Sequence, residues 1–276
     1  MKAVRFSTTA GETRVGALDG ETIIDAGPAG PLGFVPDEAG WTSIADADGQ
    51  RYRLDDVKLL HPVQPRKIVA VGLNYRSHAV ESELSVPEVP VVFAKWPSSL
   101  TAHDQPIVIP REETRPDFEG ELAVIIGTRT YRASRDGVLA AVGGITAIQD
   151  VTGRRAQLET PLRQFTLGKS FDTFTPMGPA IASLDGLDLT DLDIRTTVSG
   201  EVMQDANTSD LIFSVAELIE YVSRGVTLEP GDVIATGTPG GVGDSRDPRR
   251  YLRDGDVVET YLEGVGTLRN TVRAER

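Results

Sequence analysis

The sequence lacks cysteine, and this absence removes several kinds of chemistry. None of the 276 residues is Cys. Without thiols the chain has no disulfide bonds, no thiolate nucleophile and no zinc or iron–sulfur site built on Cys. A metal site in this protein therefore has to use oxygen or imidazole ligands.

Basic residues are scarce relative to acidic ones. The chain carries 28 Lys and Arg against 41 Asp and Glu, a formal net charge of −13 at pH 7. No basic run exceeds a few residues. Duplex nucleic acid and anionic membrane surfaces would repel such a chain, so we expect neither as a partner.

Long apolar runs are also missing. No stretch of about 18 apolar residues is present, which is the length that a transmembrane helix requires. The start of the chain turns polar after Phe6 without the apolar segment of a signal peptide. We therefore expect a cytoplasmic protein.

Short β-like runs dominate the chain, and the 28 glycines and 17 prolines are typical of a turn-rich β architecture. The runs cover residues 4–6, 13–18, 22–25, 68–72, 91–94, 122–127 and 144–150. Those that are almost entirely aliphatic predict strands buried on both faces. Helices are predicted at 135–142, after Ser134, and at 215–223, where Ser214 and Glu217 form a capping-box pattern. The predicted fold class is mixed α/β, mostly β.

The two prolines in His61–Pro65 indicate an extended linker. We place a domain boundary there, with a small N-terminal domain at residues 1–60 and a larger domain at 61–276.

Three carboxylates stand next to predicted strands. Glu119 and Glu121 immediately precede the aliphatic run and would share one strand face if the strand extends back to residue 119, while Asp150 ends the run that begins at Gly144. Three carboxylates at strand ends suit Mg²⁺, Mn²⁺ or Ca²⁺. From spacing alone, however, a solvated strand end is the favoured interpretation.

Only three histidines are available, and His78 is the candidate general base by elimination. Glu81 lies three residues later, so on a helical turn the two side chains share a face and the carboxylate orients the imidazole. An ordinary exposed pair has the same spacing. His61 looks structural, and His103 stands in a predicted turn.

Lys169 lies among Phe165, Phe171 and Phe174, which suggests partial burial and an anionic partner such as substrate. An ordinary loop lysine is the alternative. Gly168-Lys169-Ser170 resembles the end of a phosphate-binding loop, but Arg163 stands where that loop needs its first glycine.

Six segments in fixed order resemble the fumarylacetoacetate hydrolase family over roughly residues 62–276. They are Gly72–Glu81, Phe93–Ser99, Asp117–Gly127, Asp150–Arg154, Gly168–Asp172 and Pro230–Gly243. Each segment alone has low specificity, whereas the six together are specific and favour the functional interpretation of the carboxylates.

The resemblance implies a β-sandwich roll with a barrel-like core, a small N-terminal domain and a homodimer. The implied metal is Mg²⁺ or Mn²⁺, with Ca²⁺ as a further option. The implied roles are metal ligation by Glu119, Glu121 and Asp150; catalysis by His78, Glu81 and Lys169; and substrate contact by Tyr75, Arg154, Gln157 and Thr238. The stretch Leu211–Phe213 looks apolar and exposed, and we expect it to contribute to the dimer interface.

The implied substrate is a small anionic 2-oxo or β-diketo acid. The leading hypothesis is a metal-dependent hydrolase that cleaves a C–C bond of an acylpyruvate-like or fumarylacetoacetate-like acid through an enolate. The same site would serve an oxo-acid decarboxylase or a 2-hydroxyhepta-2,4-diene-1,7-dioate-type isomerase of aromatic catabolism. An inactive small-acid binding protein is the third hypothesis.

Two segments depart from the family pattern. Gly153-Arg154-Arg155 stands where the family usually has Ala-Arg-Asp, and Ser199-Gly200-Glu201 stands where Asn-Gly-Glu is common. The first departure replaces an acid by a base and changes the local charge by two units.

Overall fold

A computed structural model describes residues 1–276, with the side chain of Asp136 left out. Its strands are β1 (Lys2–Ser7), β2 (Thr13–Asp19), β3 (Thr22–Pro28), β4 (Arg51–Arg53), β5 (Lys58–Leu60), β6 (Ile68–Gly72), β7 (Val91–Lys95), β8 (Leu100–Thr101), β9 (Ile107–Ile109), β10 (Pro116–Asp117), β11 (Gly120–Ile126), β12 (Val142–Gln149), β13 (Thr152–Gly153), β14 (Thr175–Ala182), β15 (Asp193–Val198), β16 (Glu201–Asn207), β17 (Val233–Ala235), β18 (Val257–Leu262) and β19 (Gly266–Ala274). The α-helices are α1 (Glu38–Ala45), α2 (Arg76–Glu81), α3 (Arg154–Gln157), α4 (Phe165–Gly168) and α5 (Val215–Ser223).

The larger sheet is mixed and has the order β4-β3-β2-β1-β14-β12-β11-β17-β6-β7, with β5 and β8 added at its sides. At its centre, β11 is buried along its whole length. Leu122 and Val124 point into one apolar cluster, whereas Ala123 and Ile125 point into another on the opposite face. This period of two explains the aliphatic run, because both faces of the strand are covered.

The smaller sheet has the order β16-β15-β18-β19-β9 and packs on the larger one. Ile194 and Leu268 of the smaller sheet share a cluster with Leu122 of the larger sheet and Ile219 of α5. The protein is therefore mostly β with two packed sheets, as predicted. Within the described residues, the strand order of the larger sheet stays open and does not close into a barrel.

The N-terminal strands extend the larger sheet. Lys2 and Ala3 of β1 pair with Ala182 and Ile181 of β14. Residues 1–60 therefore continue a sheet that the rest of the chain builds, and the boundary near residue 60 stays a prediction.

Helix α5 begins with the predicted capping box, in which Ser214 Oγ accepts from Glu217 N–H and the Glu217 carboxylate accepts from Ser214 N–H. The other predicted helix is a 3₁₀ helix at Arg135–Ala141, and Ser134 makes no capping hydrogen bond there. No helix in the described part of the chain is long and apolar enough to cross a membrane.

The expectation for Leu211–Phe213 as an exposed apolar stretch is wrong. Leu211 is buried and the two residues after it are half-buried. The backbone of this segment bonds to Asn74, two residues before α2, since Ile212 N–H donates to Asn74 O and Phe213 N–H to Asn74 Oδ1. Apolar side chains that are exposed instead include Val91, Val92 and Trp96, on and just after β7.

Candidate active site

Strand pairing brings the three predicted carboxylates together. Gly120 of β11 pairs with Gln149 of β12, and Asp150 N–H donates to Glu119 O at 2.8 Å. Glu119 immediately precedes β11 and lies beside Asp150, which immediately follows β12. Glu121 is the second residue of β11. One carboxylate oxygen from each of Glu119, Glu121 and Asp150 lies within 4.8 Å of the other two, and all three residues are buried. A solvated strand end does not describe this arrangement.

Two buried lysines neutralise part of this negative charge. Lys169 Nζ donates to Glu119, to Asp150 Oδ2 at 2.6 Å and to Thr152 Oγ1 at 2.8 Å. Lys95 Nζ donates to the other oxygen of Asp150, Oδ1, at 2.6 Å. Its remaining contacts are the carbonyl oxygens of Lys169 and Phe174. Lys169 is buried and has anionic partners, but these are the carboxylates of the cluster and not the substrate that the sequence analysis suggested.

Arg154 forms hydrogen bonds on another side of the carboxylate cluster. Its Nη2 lies 2.6 Å from Glu119 Oε1, its Nε 2.9 Å from Asp117 Oδ2 and its Nη1 3.0 Å from Gln157 Oε1. Asp117 is fully buried and also accepts from the N–H groups of Gly243 and Asp244. Arg154 and Gln157 thus present their polar ends beside the carboxylates from the two ends of α3.

The two glutamates of the cluster have opposite pKa shifts. Burial by itself would raise the pKa of Glu119, but the charges of Lys169 and Arg154 lower it to about 2. The pKa of Glu121 is raised well above its usual value by burial and by the charges of Asp150 and Glu119. Within the described residues, Glu121 has no ion-pair partner, and its one hydrogen bond comes from Gly237 N–H at 2.8 Å.

The predicted pair on α2 is formed. His78 Nδ1 lies 2.8 Å from Glu81 Oε1, and Gly241 N–H donates to Glu81 Oε2 at 2.7 Å. Gly241, in the segment Pro230–Gly243, therefore holds the carboxylate, and the carboxylate holds the imidazole in turn. The two side chains are 14% and 24% exposed, so both are reached from solvent.

A cavity of about 520 Å³ joins these groups. Its lining includes eight residues singled out in the sequence, namely His78, Glu81, Glu119, Glu121, Arg154, Gln157, Lys169 and Thr238. Asp150 lies behind Lys169 and is 1% exposed. Tyr75 is fully buried outside the cavity lining, and its hydroxyl has no hydrogen-bond partner among the described residues.

Several residues of this site were missed by the sequence analysis. Lys95 and Asp117 stand inside the recognised segments without an assigned role, and Arg163 was used only to reject a phosphate-binding loop. Gln204 was not noticed, although its amide accepts from Gly120 N–H and donates to Thr238 Oγ1 at 2.7 Å. The signal for Lys95 was a lysine at the end of an apolar strand. Gln204 carries no local signal, because its contacts come from distant segments.

Comparison with known proteins decides the family. The model of the fumarylacetoacetate (FAA) hydrolase C-terminal domain matches residues 67–273. The chain belongs to the fumarylacetoacetate hydrolase family. Its fold agrees as well, since a solved fumarylacetoacetate hydrolase from the psychrophilic Exiguobacterium antarcticum is 38% identical with a TM-score of 0.84, covering 100% of both chains.

Relatives within the family have different names. Oxaloacetate tautomerase YisK of Bacillus subtilis is 44% identical over 228 residues, 80% of this chain and 75% of that protein. A solved 2-hydroxyhepta-2,4-diene-1,7-dioate isomerase from Mycobacterium marinum is 33% identical with a TM-score of 0.81, covering 100% of this chain and 99% of that one. Proteins similar to this chain therefore include members named as a hydrolase, as a tautomerase and as an isomerase.

The donor set of this family member fits a hard divalent cation. Glu119, Glu121 and Asp150 offer only oxygen atoms, which Mg²⁺ and Mn²⁺ prefer. The surroundings of Glu121 support this fit. It is a buried carboxylate that faces two others with no cation of its own among the described side chains, an arrangement that is costly unless a cation binds or the group is protonated.

Proposed function

We propose that the protein interconverts the keto and enol forms of a small 2-oxo dicarboxylic acid, oxaloacetate being the simplest. The observation that carries the proposal is the cluster of three buried carboxylates, two of which, Glu119 and Glu121, line the same cavity as two cationic side chains and the His78–Glu81 pair. The 44% identity to an oxaloacetate tautomerase over most of the chain supports this reaction over the C–C hydrolysis that led our sequence hypotheses.

In this proposal Glu119, Glu121 and Asp150 hold Mg²⁺ or Mn²⁺. A divalent cation held there would supply a Lewis acid for the 2-oxo acid. Lys169 and Arg154 are the protein's own positive charges there. Because they are fixed by Asp150, Glu119 and Asp117 before substrate arrives, they stabilise negative charge on the substrate oxygen without reorganising.

His78 moves the proton. Enolisation removes a proton from C3 of the substrate and adds one to the oxygen on C2. The reverse reaction adds a proton to C3 and removes the one on the oxygen. With Nδ1 directed at Glu81, the imidazole has Nε2 left for the substrate, and the carboxylate orients the ring. Gly241 N–H keeps Glu81 in place.

Two neutral side chains of the cavity have defined capacities for substrate oxygens. Gln157 Oε1 accepts from Arg154, so its NH₂ group remains as a donor. Thr238 Oγ1 donates to Gly120 O at 3.0 Å and accepts from Gln204, so it retains one acceptor position. Tyr75 as a substrate contact stays a prediction.

Arg163 supports a substrate with two carboxylates. It lines the same cavity and makes no ion pair among the described side chains. The overall charge of −13 repels an anionic substrate, so local cations have to attract it. We assign the 2-oxo carboxylate to the end of the cavity at Lys169 and the second carboxylate to Arg163.

Hydrolysis of an acylpyruvate is the second candidate, because the solved hydrolase is 38% identical over the full length. In that reaction His78 would activate water instead of taking a carbon-bound proton. Decarboxylation of oxaloacetate would instead break the C3–C4 bond of the keto form, releasing carbon dioxide and leaving the enolate of pyruvate, without water. A substrate panel with Mg²⁺ separates the three by enol absorbance, carbon dioxide release and acylpyruvate cleavage. We expect the enol–ketone conversion of oxaloacetate to be accelerated most. Acylpyruvate cleavage without accelerated tautomerisation would overturn the proposal in favour of the hydrolase.

We further propose a homodimer. The exposed Val91, Val92 and Trp96 lie on or next to β7, the last strand of the larger sheet, where an uncovered apolar edge favours self-association. Light scattering at micromolar concentration tests this, and a monomeric mass would contradict it.

A further inference from the structure

Helix α3 carries two site residues but is only four residues long. Arg154 and Gln157 stand at its two ends. So short a helix has almost no internal hydrogen bonds to fix it, since the first N–H groups of any helix have no partner within it. The position of the Arg154 guanidinium therefore depends on what holds the start of α3 from outside.

The segment before β10 supplies that contact. Arg154 N–H donates to Arg115 O at 3.0 Å. The N–H group of Arg155 donates to Oε1 of Glu113, and that of Ala156 donates to Oε2, both at 3.1 Å. The same carboxylate accepts from Arg115 N–H at 2.8 Å.

Glu113 is buried, with 6% of its surface exposed, and it forms no ion pair among the described side chains. Three backbone N–H groups therefore provide its entire hydrogen-bonded environment. A buried carboxylate in such a place is costly unless these donors are correctly placed, so Glu113 and the start of α3 fix each other.

Gly153, which stands where the family motif usually has alanine, makes room for this carboxylate. A Cβ atom on Gly153 would lie 2.5 Å from Glu113 Oε2 and 3.0 Å from Phe171 Cε2. The alanine that the family usually has here would displace the carboxylate. The glycine is needed for space, because its φ is −77° and any residue can adopt that backbone.

Arg155, which stands where the same motif usually has aspartate, belongs to the same contact. Its N–H bonds to Glu113, and its Nη1 donates to Glu112 O. An aspartate at position 155, as in the usual motif, would bring a second carboxylate to the helix start that Glu113 already occupies, and like charges there would repel. Glu113, Gly153 and Arg155 therefore form one interdependent set.

We propose that Glu113 is a positioning residue that acts through α3 to hold Arg154 against Asp117 and Glu119. The proposal deepens the proposed function, because Arg154 is there a substrate contact and its partner Glu119 a metal ligand. In this chain Glu113 takes the place of an acid at position 155, with Gly153 opening the space for it.

The first test compares Glu113→Ala with Glu112→Ala, the neighbouring exposed acid whose side chain forms no hydrogen bond or ion pair among the described residues. Side-chain partners that orient a metal ligand typically change affinity or activity by about 10–100-fold. We expect Glu113→Ala to weaken binding of Mn²⁺ alone, measured by calorimetry, about tenfold or more. We also expect kcat/KM for oxaloacetate to fall by a similar factor, while Glu112→Ala matches the wild type. Wild-type Mn²⁺ affinity in folded Glu113→Ala would overturn the proposal.

A second test uses rescue, which a merely structural role would not produce. Adding Arg155→Asp to Glu113→Ala restores an acid at the start of α3, and we expect it to recover most of the lost Mn²⁺ affinity. The same Arg155→Asp change in the presence of Glu113 should lower the affinity. An equal effect of Arg155→Asp in both backgrounds would contradict the proposal.

Gly153→Ala provides an alternative test if Glu113→Ala does not fold. Because the new methyl group displaces the carboxylate, we expect Gly153→Ala to weaken Mn²⁺ binding as Glu113→Ala does. A Gly153→Ala protein with wild-type Mn²⁺ affinity would count against the proposal. If the wild type converts no oxo acid, the proposed function fails, whereas the Mn²⁺ titrations still decide the role of Glu113.

Discussion

The ammonium group of Lys95 donates to Oδ1 of Asp150 at 2.6 Å, and both side chains are almost completely shielded from solvent. Lys169 donates to the other oxygen of Asp150. Two lysines from different segments thus fix one candidate metal ligand. Burial lowers the pKa of Lys95, and the charge of Lys169 lowers it further, while the charge of Asp150 opposes both. The orientation of Asp150 therefore depends on this buried ion pair.

Replacing Lys95 should be strongly destabilising. Lys95→Met leaves Asp150 with one buried cation fewer and leaves the carbonyl oxygens of Lys169 and Phe174 without that donor. Removing one partner of a buried ion pair costs about 3–5 kcal/mol of unfolding free energy. Urea unfolding measures the loss, and Lys58→Met, at an exposed position on β5, is the control. An equal effect of the two substitutions would show that the Lys95 contact is not important.

Glu81 should matter for turnover but not for metal binding. Glu81→Gln removes the charge that orients His78, although the amide oxygen still accepts from Gly241 N–H. Since general acid–base catalysis contributes about 10²–10⁴-fold, we expect kcat to fall by roughly that range while Mn²⁺ affinity stays at the wild-type value. Glu88→Gln, an exposed acid nearby, serves as the control. Turnover at the wild-type rate in Glu81→Gln would argue against His78 as the proton-transfer group.

Arg163 should distinguish substrates with one and two carboxylates. A charge-assisted hydrogen bond contributes about 1.5–3 kcal/mol, which corresponds to roughly 10–100-fold in affinity. We therefore expect Arg163→Gln to raise KM for oxaloacetate by that factor. For phenylpyruvate, which has a single carboxylate, KM should not change. An equal increase for both acids would place Arg163 at the shared 2-oxo carboxylate instead.

The stability of the fold should depend on Asp256 in a defined pH range. Burial would raise the pKa of Asp256, but hydrogen bonds from Arg250, Ser199 and Arg253 N–H lower it. A lowered pKa means that the stabilisation is complete above the unfolded value of about 3.9 and is lost as the pH falls through the folded pKa.

Asp256→Asn should therefore lower the unfolding free energy at pH 7 by about 1–2 kcal/mol, because hydrogen bonds to a charged group are weakened. The difference between variant and wild type should shrink as the pH falls below about 4. Denaturant unfolding at pH 7 and in the acid range measures both values. A difference that stays constant over this range would show that the charge of Asp256 is not responsible.

The parts of the fold that local sequence determines were predictable. The capping box of α5 and the aliphatic strand β11 follow from patterns within a few residues. Ser199-Gly200 is also a local feature. With φ of +52° and +84°, these residues form the two-residue turn between Val198 and Glu201, and Ser199 Oγ bonds to Asp256. This contact gives the Ser199 departure a physical role that the sequence alone did not show.

Features that depend on distant segments were not predictable in this way. Leu211 looked exposed because nothing near it in sequence indicates that its segment packs against Asn74. The carboxylate cluster was predicted from its members, but the pairing of Lys95 with Asp150, 55 residues away, has no local pattern. The same holds for Glu113, whose partners Arg155 and Ala156 lie on another element.

The central claim is that Glu119, Glu121 and Asp150 hold a divalent cation needed for enolisation. The most direct test follows the decay of enol oxaloacetate by its ultraviolet absorbance, with enzyme treated with a chelator and then given Mg²⁺ or Mn²⁺. We predict that chelation abolishes the acceleration, that either ion restores it in the wild type, and that neither restores it in Glu121→Gln, which keeps the hydrogen bond from Gly237 but lacks the charge. Full acceleration by the chelator-treated wild type, or by Glu121→Gln, would contradict the account.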